Sequence, residues 1–418
     1  MIQPVLASAV RSSVRVLLAR LAVGAMVAGV AGLSGCASSG CSGCCGGCCG
    51  EPAGEGAVQA TAAVPTKPAA VSAEAAKAAA AKAEAEKAWF SRLGYKADWT
   101  GVAAVQRGQV VRHVDVLGDL VVVQDGGNAV SGLNVANGLV RWSTLIDSPL
   151  TQFFGSVRSG SRLLASSDSN LFVVDTESGA VITRQPFARV VATRPAAVGP
   201  ALVYGTATNQ VVAHAPGNGF QAWGYFIQGP ISHAPVVIGD RDVGVVSQDG
   251  EVVILDGITA LPRGRARIFG GVDCDLAASD DALFVASLDQ SLYAFESNNA
   301  AQRWRIRTQS PMRHKPVYHN GRLFVTIPET GFSAVDASSG KVLWSVKTLT
   351  GVAVAQRGSE LLVDDGKGLT VLEVGTGDLI RTVELPGKSL FRAPGFADGP
   401  LYVVTEAGAV FKLSPKAN

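Results

Sequence analysis

Short runs of alternating apolar and polar residues recur along most of this chain, each ended by a tight polar turn. Phe332–Thr348, FSAVDASSGKVLWSVKT, shows the pattern most clearly: FSAVD alternates, a turn closed by Gly340 follows, and VLWSV alternates again. Patterning with a period of two predicts strands with two unlike faces. At the turn entrance Asp336 can accept hydrogen bonds from the backbone N–H groups just ahead. Gly340 can take the left-handed conformation without Cβ strain. The same design recurs in LNVANGLVRW up to Trp142, VVDTESGAVIT up to Thr183 and VVAHAPGNGFQAW up to Trp223. Further copies are YAFESNNAAQRW up to Trp304 and VLEVGTGDLIR up to Arg381.

The spacing of these copies predicts the architecture. Third strands of successive units are expected to end at Asn134, Asp175, Ala215, Asp256, Glu296, Asp336, Glu373 and Leu413, with intervals of 41, 40, 41, 40, 40, 37 and 40 residues. Periods near 40 with four strands per unit point to a β-propeller, which also explains how 418 residues can share one fold. Within one unit the strands read as His314–His319, Arg322–Ile327, Gly331–Asp336 and Lys341–Lys347. The chain supplies eight third strands but stops before an eighth outer strand. Ala97–Val102, carrying Trp99, resembles the outer strand around Trp344 and can complete the last unit. The expected fold is therefore all-β, an eight-bladed propeller of four-stranded blades closed by an N-terminal strand, which leaves no exposed sheet edge.

The motif A-x-D-x-x-[ST]-G-K-x-x-W at Ala334–Trp344 resembles the repeat of the quinoprotein-like, PQQ-type propellers, and the resemblance extends over residues 96–418. Trp99, Trp142, Trp223, Trp304 and Trp344 match the motif's tryptophan, which the resemblance implies packs between neighbouring blades; Thr183, Ile268 and Arg381 depart from it. One branch of that family holds pyrroloquinoline quinone and calcium and oxidises alcohols or sugars. Here the units are nearly minimal, and the best acidic candidates, Asp273 and Asp275 beside Cys274, read as a solvated strand entrance. No catalytic residue, cofactor or metal site is therefore expected. The other branch resembles this chain more fully: the BamB-like lipoproteins of outer-membrane β-barrel assembly. That likeness implies a non-enzymatic scaffold whose partners are the periplasmic POTRA domains of a BamA-like barrel subunit. A PQQ-dependent periplasmic oxidoreductase and an envelope module binding peptide or carbohydrate stand as alternatives.

The first part of the chain adds a compartment. Arg11, Arg15 and Arg20 precede the apolar run Leu21–Ala31, too short for a membrane-spanning helix, in the manner of an export signal over residues 1–35. It ends in Leu33-Ser34-Gly35-Cys36, which resembles a lipobox and makes Cys36 the expected lipidation site. Ala37 after the cysteine fits delivery to the outer membrane, with the chain facing the periplasm. Residues 36–70, rich in Gly and Cys, should form a tether; Cys41, Cys44, Cys45, Cys48 and Cys49 lack the separated knuckles and supporting residues of a zinc site. Residues 71–93, rich in Ala with Glu and Lys, predict a spacer helix ending at Trp89 and Phe90. The propeller then occupies 94–418.

Charge supplies the one expected functional surface. A formal net charge of +2 gives no basis for nucleic-acid binding, and the five histidines are scattered over different blades. Just ahead of the inner strands, however, stand Arg112, Arg194, His233, Arg313, His314, Lys315 and Arg392, next to repeated prolines at Pro195, Pro235, Pro316 and Pro394. Repeat symmetry would gather them into a basic rim at one end of the central funnel, suited to docking an acidic protein or peptide. The propeller itself is expected to be monomeric.

Overall fold

The computed structural model describes residues 88–385 and 389–416. Among these residues, 32 strands form eight antiparallel sheets of four strands each. Seven sheets are made of four consecutive strands: blade 1 comprises Val111–Leu117, Leu120–Asp125, Ala129–Asn134 and Val140–Leu145, and the remaining six follow in order to Leu379–Glu384. In blade 8 the strands Ser389–Arg392, Leu401–Thr405 and Ala409–Pro415 receive Tyr95–Val102 as the outer member, in register from Tyr95 opposite Pro415 to Val102 opposite Ala409. The ring is thus closed by the N-terminal strand, and the edge of Ala409–Pro415 is paired rather than open.

The burial pattern follows from stacking sheets face to face. In the second and third strands of a blade both faces are covered by neighbours, so Leu120–Asp125 and Glu251–Asp256 are buried at every position. Outer strands keep only part of this cover, and Phe220–Phe226 is mostly exposed. Among the described residues the core divides into eight apolar clusters, one at each junction between consecutive blades. A short helical turn over 88–92 precedes the closing strand. Phe90, Leu93 and Tyr95 are buried between blades 7 and 8, and the Phe90 ring lies 5.2 Å from that of Phe411. The expected signal segment, tether, Cys36 and the start of the 71–93 helix lie outside the described residues.

Five indoles tie the ring together in one way. Trp99, Trp142, Trp223, Trp304 and Trp344 each donate Nε1–H to a backbone carbonyl of the following blade, at 2.8, 2.8, 3.2, 2.9 and 3.0 Å. The acceptors are Val135, Thr176, Gly257, Ala337 and Val374, in each case the residue just after a third strand. The turn beside that carbonyl is held by the residue at the end of the third strand: Asp336 Oδ1 accepts the Ser339 N–H at 2.8 Å, and hydrogen bonds from Ser338 and Ser339 hold its carboxyl down at about 2. Gly340 has φ +73°, and a Cβ there would come within 2.8 Å of the Trp304 ring. The turn glycine therefore serves both the backbone conformation and the close approach of the neighbouring indole.

Three sequence expectations are corrected in detail. The innermost strand of blade 6 is Val317–His319, not His314–His319, because Pro316 offers no ladder donor and biases the residue before it. The last strand runs beyond Leu413 to Pro415, since Tyr95 and Lys96 extend its pairing. In blade 4 the residue at the tryptophan position is Gly264, which pairs with Ile254; Ile268 lies past the end of the outer strand and is buried.

Candidate functional site

The passages from each outer strand to the next innermost strand converge on one end of the ring. There they surround a cavity of about 800 Å³, lined among others by Asp115, Arg194, Asp275, Lys315, Phe391 and Arg392. Of the seven cations picked out in the sequence, Arg194, Lys315 and Arg392 reach this funnel directly.

On one side the cluster centres on Asp115, a buried carboxylate on the innermost strand of blade 1. Its Oδ2 accepts the Ser156 N–H at 2.9 Å, and Oδ1 pairs with the Arg194 guanidinium. Arg194 precedes blade 3, so its side chain crosses the inner strand of blade 2 to reach Asp115. Gly155 permits that crossing: at φ +126° it lies against the guanidinium, and a Cβ would sit 2.8 Å from Arg194 Cζ. Arg392 donates Nε–H to the Val114 carbonyl at 2.9 Å and Nη1–H to the Phe391 carbonyl at 2.8 Å. Burial, with Arg194 adding repulsion against the pull of Asp115, brings the Arg392 guanidinium below its ordinary range. Burial and then Arg194 likewise lower the His113 imidazole.

On the side of blades 4 to 6, Asp275 faces His233 (Nδ1 to Oδ1, 3.6 Å) and Lys315 (Nζ to Oδ2, 3.5 Å), and Asp273 pairs with Arg313. The His233 hydrogen bond, followed by Lys315, holds the Asp275 carboxyl at about 2 against the opposing effect of burial. Cys274 between them points inward and is buried; burial and then the two carboxylates push its thiol up to about 12. His314 is half-buried and lines no part of the funnel, and Arg112 stands apart in a cleft of blade 1 with His113, Asp125 and Asn128. The axial end is therefore a mosaic of cation–carboxylate pairs. Sequence reasoning had named the cations and missed Asp115. The available signal was an aspartate set between apolar residues, Val114 and Val116, on an inner strand.

This donor set does not suit calcium. Each funnel carboxylate except Asp364 faces a cation already, and among the described residues no three His, Cys, Asp or Glu side chains are grouped to hold a metal ion. The pairing lets the surface form directional, charge-assisted contacts with another macromolecule without a fixed net field.

A closed ring of eight nearly bare four-stranded blades with PQQ-type turns defines the class: an eight-bladed PQQ-repeat propeller. The chain belongs to the family described as outer membrane protein assembly factor BamB, whose model matches residues 98–186, 264–380 and 333–417. Among solved structures it is similar to BamB from Moraxella catarrhalis, with 18% identity and a TM-score of 0.60 over 76% of this chain and 98% of that one. It is also similar to the computationally designed Ika8 protein, with 13% identity and a TM-score of 0.60 over 75% of this chain and 98% of that one. At these identities the likeness is one of fold. No curated protein sequence matches the chain.

Proposed function

We propose that this protein is a lipid-anchored scaffold of outer-membrane β-barrel assembly, held at the inner leaflet through Cys36 and facing the periplasm. Its partner is a POTRA-bearing, BamA-like barrel subunit, which docks on the axial end of the ring. The observation that carries this reading is the exposed ion-pair mosaic formed by Asp273–Arg313 and Asp275–Lys315 beside the funnel, on a ring of the BamB family. Arg313 and Lys315 side chains remain 60% and 47% exposed, so both pairs can exchange their internal partner for an external one at little cost. Arg194 and Arg392 line the funnel behind them.

The test is affinity capture of the full-length chain from membranes in mild detergent, with mass spectrometry of what accompanies it. A POTRA-containing barrel protein should be recovered, and the double variant Arg313→Glu/Lys315→Glu should lower that recovery at least tenfold. Recovery that is unchanged in the variant removes the axial end as the docking surface. Absence of any barrel protein removes the assembly role. Replacement of Cys36 by Ser should release the protein from the membrane fraction; retention would refute the anchor.

A further inference from the structure

The funnel at the axial end is lined by three carboxylates and three cations: Asp115, Asp275 and Asp364 against Arg194, Lys315 and Arg392. Two ion pairs form, Arg194 with Asp115 and Lys315 with Asp275. Asp364 and Arg392 are left over. Among the described residues neither forms an ion pair, with the other or with any third group. They stand on neighbouring blades. Asp364 ends the second strand of blade 7, Glu360–Asp364, opposite Val352 at the start of the innermost one; Arg392 ends the innermost strand of blade 8.

Both groups keep open hydrogen-bonding capacity. Asp364 Oδ1 accepts the Gly366 N–H at 2.9 Å, and no described group donates to Oδ2. Arg392 gives Nε–H to the Val114 carbonyl and one Nη1–H to the Phe391 carbonyl, which leaves Nη2 and the second Nη1–H unused. Burial pushes the Asp364 carboxyl above its ordinary range, with Asp365 adding repulsion against the pull of the Gly366 N–H. The Arg392 guanidinium lies below its own range. Each displacement has the sign of a charge that burial has left without a counter-ion. The wall that blades 7 and 8 add to the cavity is mostly apolar, with Val352, Val354, Leu390, Phe391 and Phe396, interrupted by Ser389.

We infer that this part of the funnel binds a short peptide with free ends, its carboxylate on Arg392 and its ammonium on Asp364. Charge identifies the occupant. A lone anion would leave Asp364 unpaired and a lone cation would leave Arg392 so, whereas a zwitterion completes the third pair and keeps the cavity neutral. A guanidinium with unused N–H donors on both terminal nitrogens matches a carboxylate bidentately. The apolar wall favours an aliphatic or aromatic side chain on the peptide. At about 800 Å³ the cavity falls towards the upper end of the usual span of ligand pockets, roughly 300–1,000 Å³, so a di- or tripeptide fits it better than a single amino acid. The inference does not rest on the scaffold reading, since the site needs no docked partner.

The experiment uses alanyl-leucine as the probe, titrated into the purified full-length chain by calorimetry, with methyl NMR at Leu and Val to locate it. Saturable heats and shifts of the Val354 and Leu390 methyls are expected. Blocking either end of the probe, by N-acetylation or by C-terminal amidation, should weaken binding at least tenfold, the loss of one charge-assisted pair. Asp364→Asn keeps the shape of the side chain and its bond to the Gly366 N–H, and should make the free and acetylated probes bind alike. Arg392→Gln should do the same for the free and amidated probes. Phosphoethanolamine carries the same two charges as a lipid headgroup and should bind at least tenfold more weakly than the dipeptide. No saturable binding at millimolar probe, indifference to blocking in the wild type, or an acetylation effect that survives Asp364→Asn would overturn the assignment. Tighter binding of phosphoethanolamine would overturn the choice of a peptide.

Discussion

Replacing Trp304 by Phe tests whether the indole bonds hold the ring together. Trp304 is 8% exposed and donates to the carbonyl of Ala337, itself 5% exposed, at 2.9 Å. Phenylalanine keeps a ring against Gly340 and Phe284 but removes the donor, and leaves the Ala337 carbonyl buried without its partner. That loss costs about 1–3 kcal/mol. The space vacated by the pyrrole half of the indole adds roughly 1 kcal/mol, which places the total at about 2–4 kcal/mol. Trp223 provides the internal control, because it is half-buried and its bond to Gly257 is longer, 3.2 Å. There the same change should cost only about 1 kcal/mol. In a chain of this size about 2 °C of melting temperature corresponds to 1 kcal/mol. Thermal unfolding followed by circular dichroism should therefore show a fall of about 4–8 °C for Trp304→Phe and about 2 °C for Trp223→Phe. Equal losses in the two variants would refute the assignment of the cost to the buried donor.

Two further outcomes follow from the geometry. Burial lowers the His214 imidazole to about 4, from 6.5 when the chain is unfolded. Between those values the unfolded chain binds one proton more, so stability falls as pH drops from 6.5 to 4, by at most about 1.4 kcal/mol per pH unit. Denaturation of wild type and His214→Gln across that range should show a shallower slope in the variant; parallel slopes would exclude His214 as the group responsible. Starting the chain at residue 103 removes the closing strand together with buried Phe90, Leu93 and Tyr95, and opens the edge of Ala409–Pro415. Size-exclusion chromatography should then show association rather than a monomer; a monomer with an unchanged melting temperature would mean that closure contributes little.

The architecture was legible because its signals are local and repeated. Alternation, an Asx-type turn and a period near 40 each need only a few neighbouring residues, so seven third-strand ends fall at Asn134, Asp175, Ala215, Asp256, Glu296, Asp336 and Glu373 as read from sequence. Closure was legible too, since a count of strands left one missing and Trp99 marked its replacement. At the tryptophan position of blade 4 the offset that separates Asp336 from Trp344 leads from Asp256 to Gly264, and the expectation of Ile268 followed side-chain character instead of that offset.

What the amino-acid order determined by itself is the blade: which segments become strands, where they turn, and how many units there are. What only the tertiary structure decided is how charges and gaps meet across blades. Arg194 finds Asp115 79 residues away, over a glycine that lets it pass, and so an expected basic rim becomes a paired mosaic. The place of the missing indole beside Thr183 is likewise taken by Gln185, which reaches the Pro216 carbonyl on the next blade at 2.9 Å. Both outcomes arise from contacts between distant segments, whose geometry is set when the ring closes and not by the neighbours of any one residue.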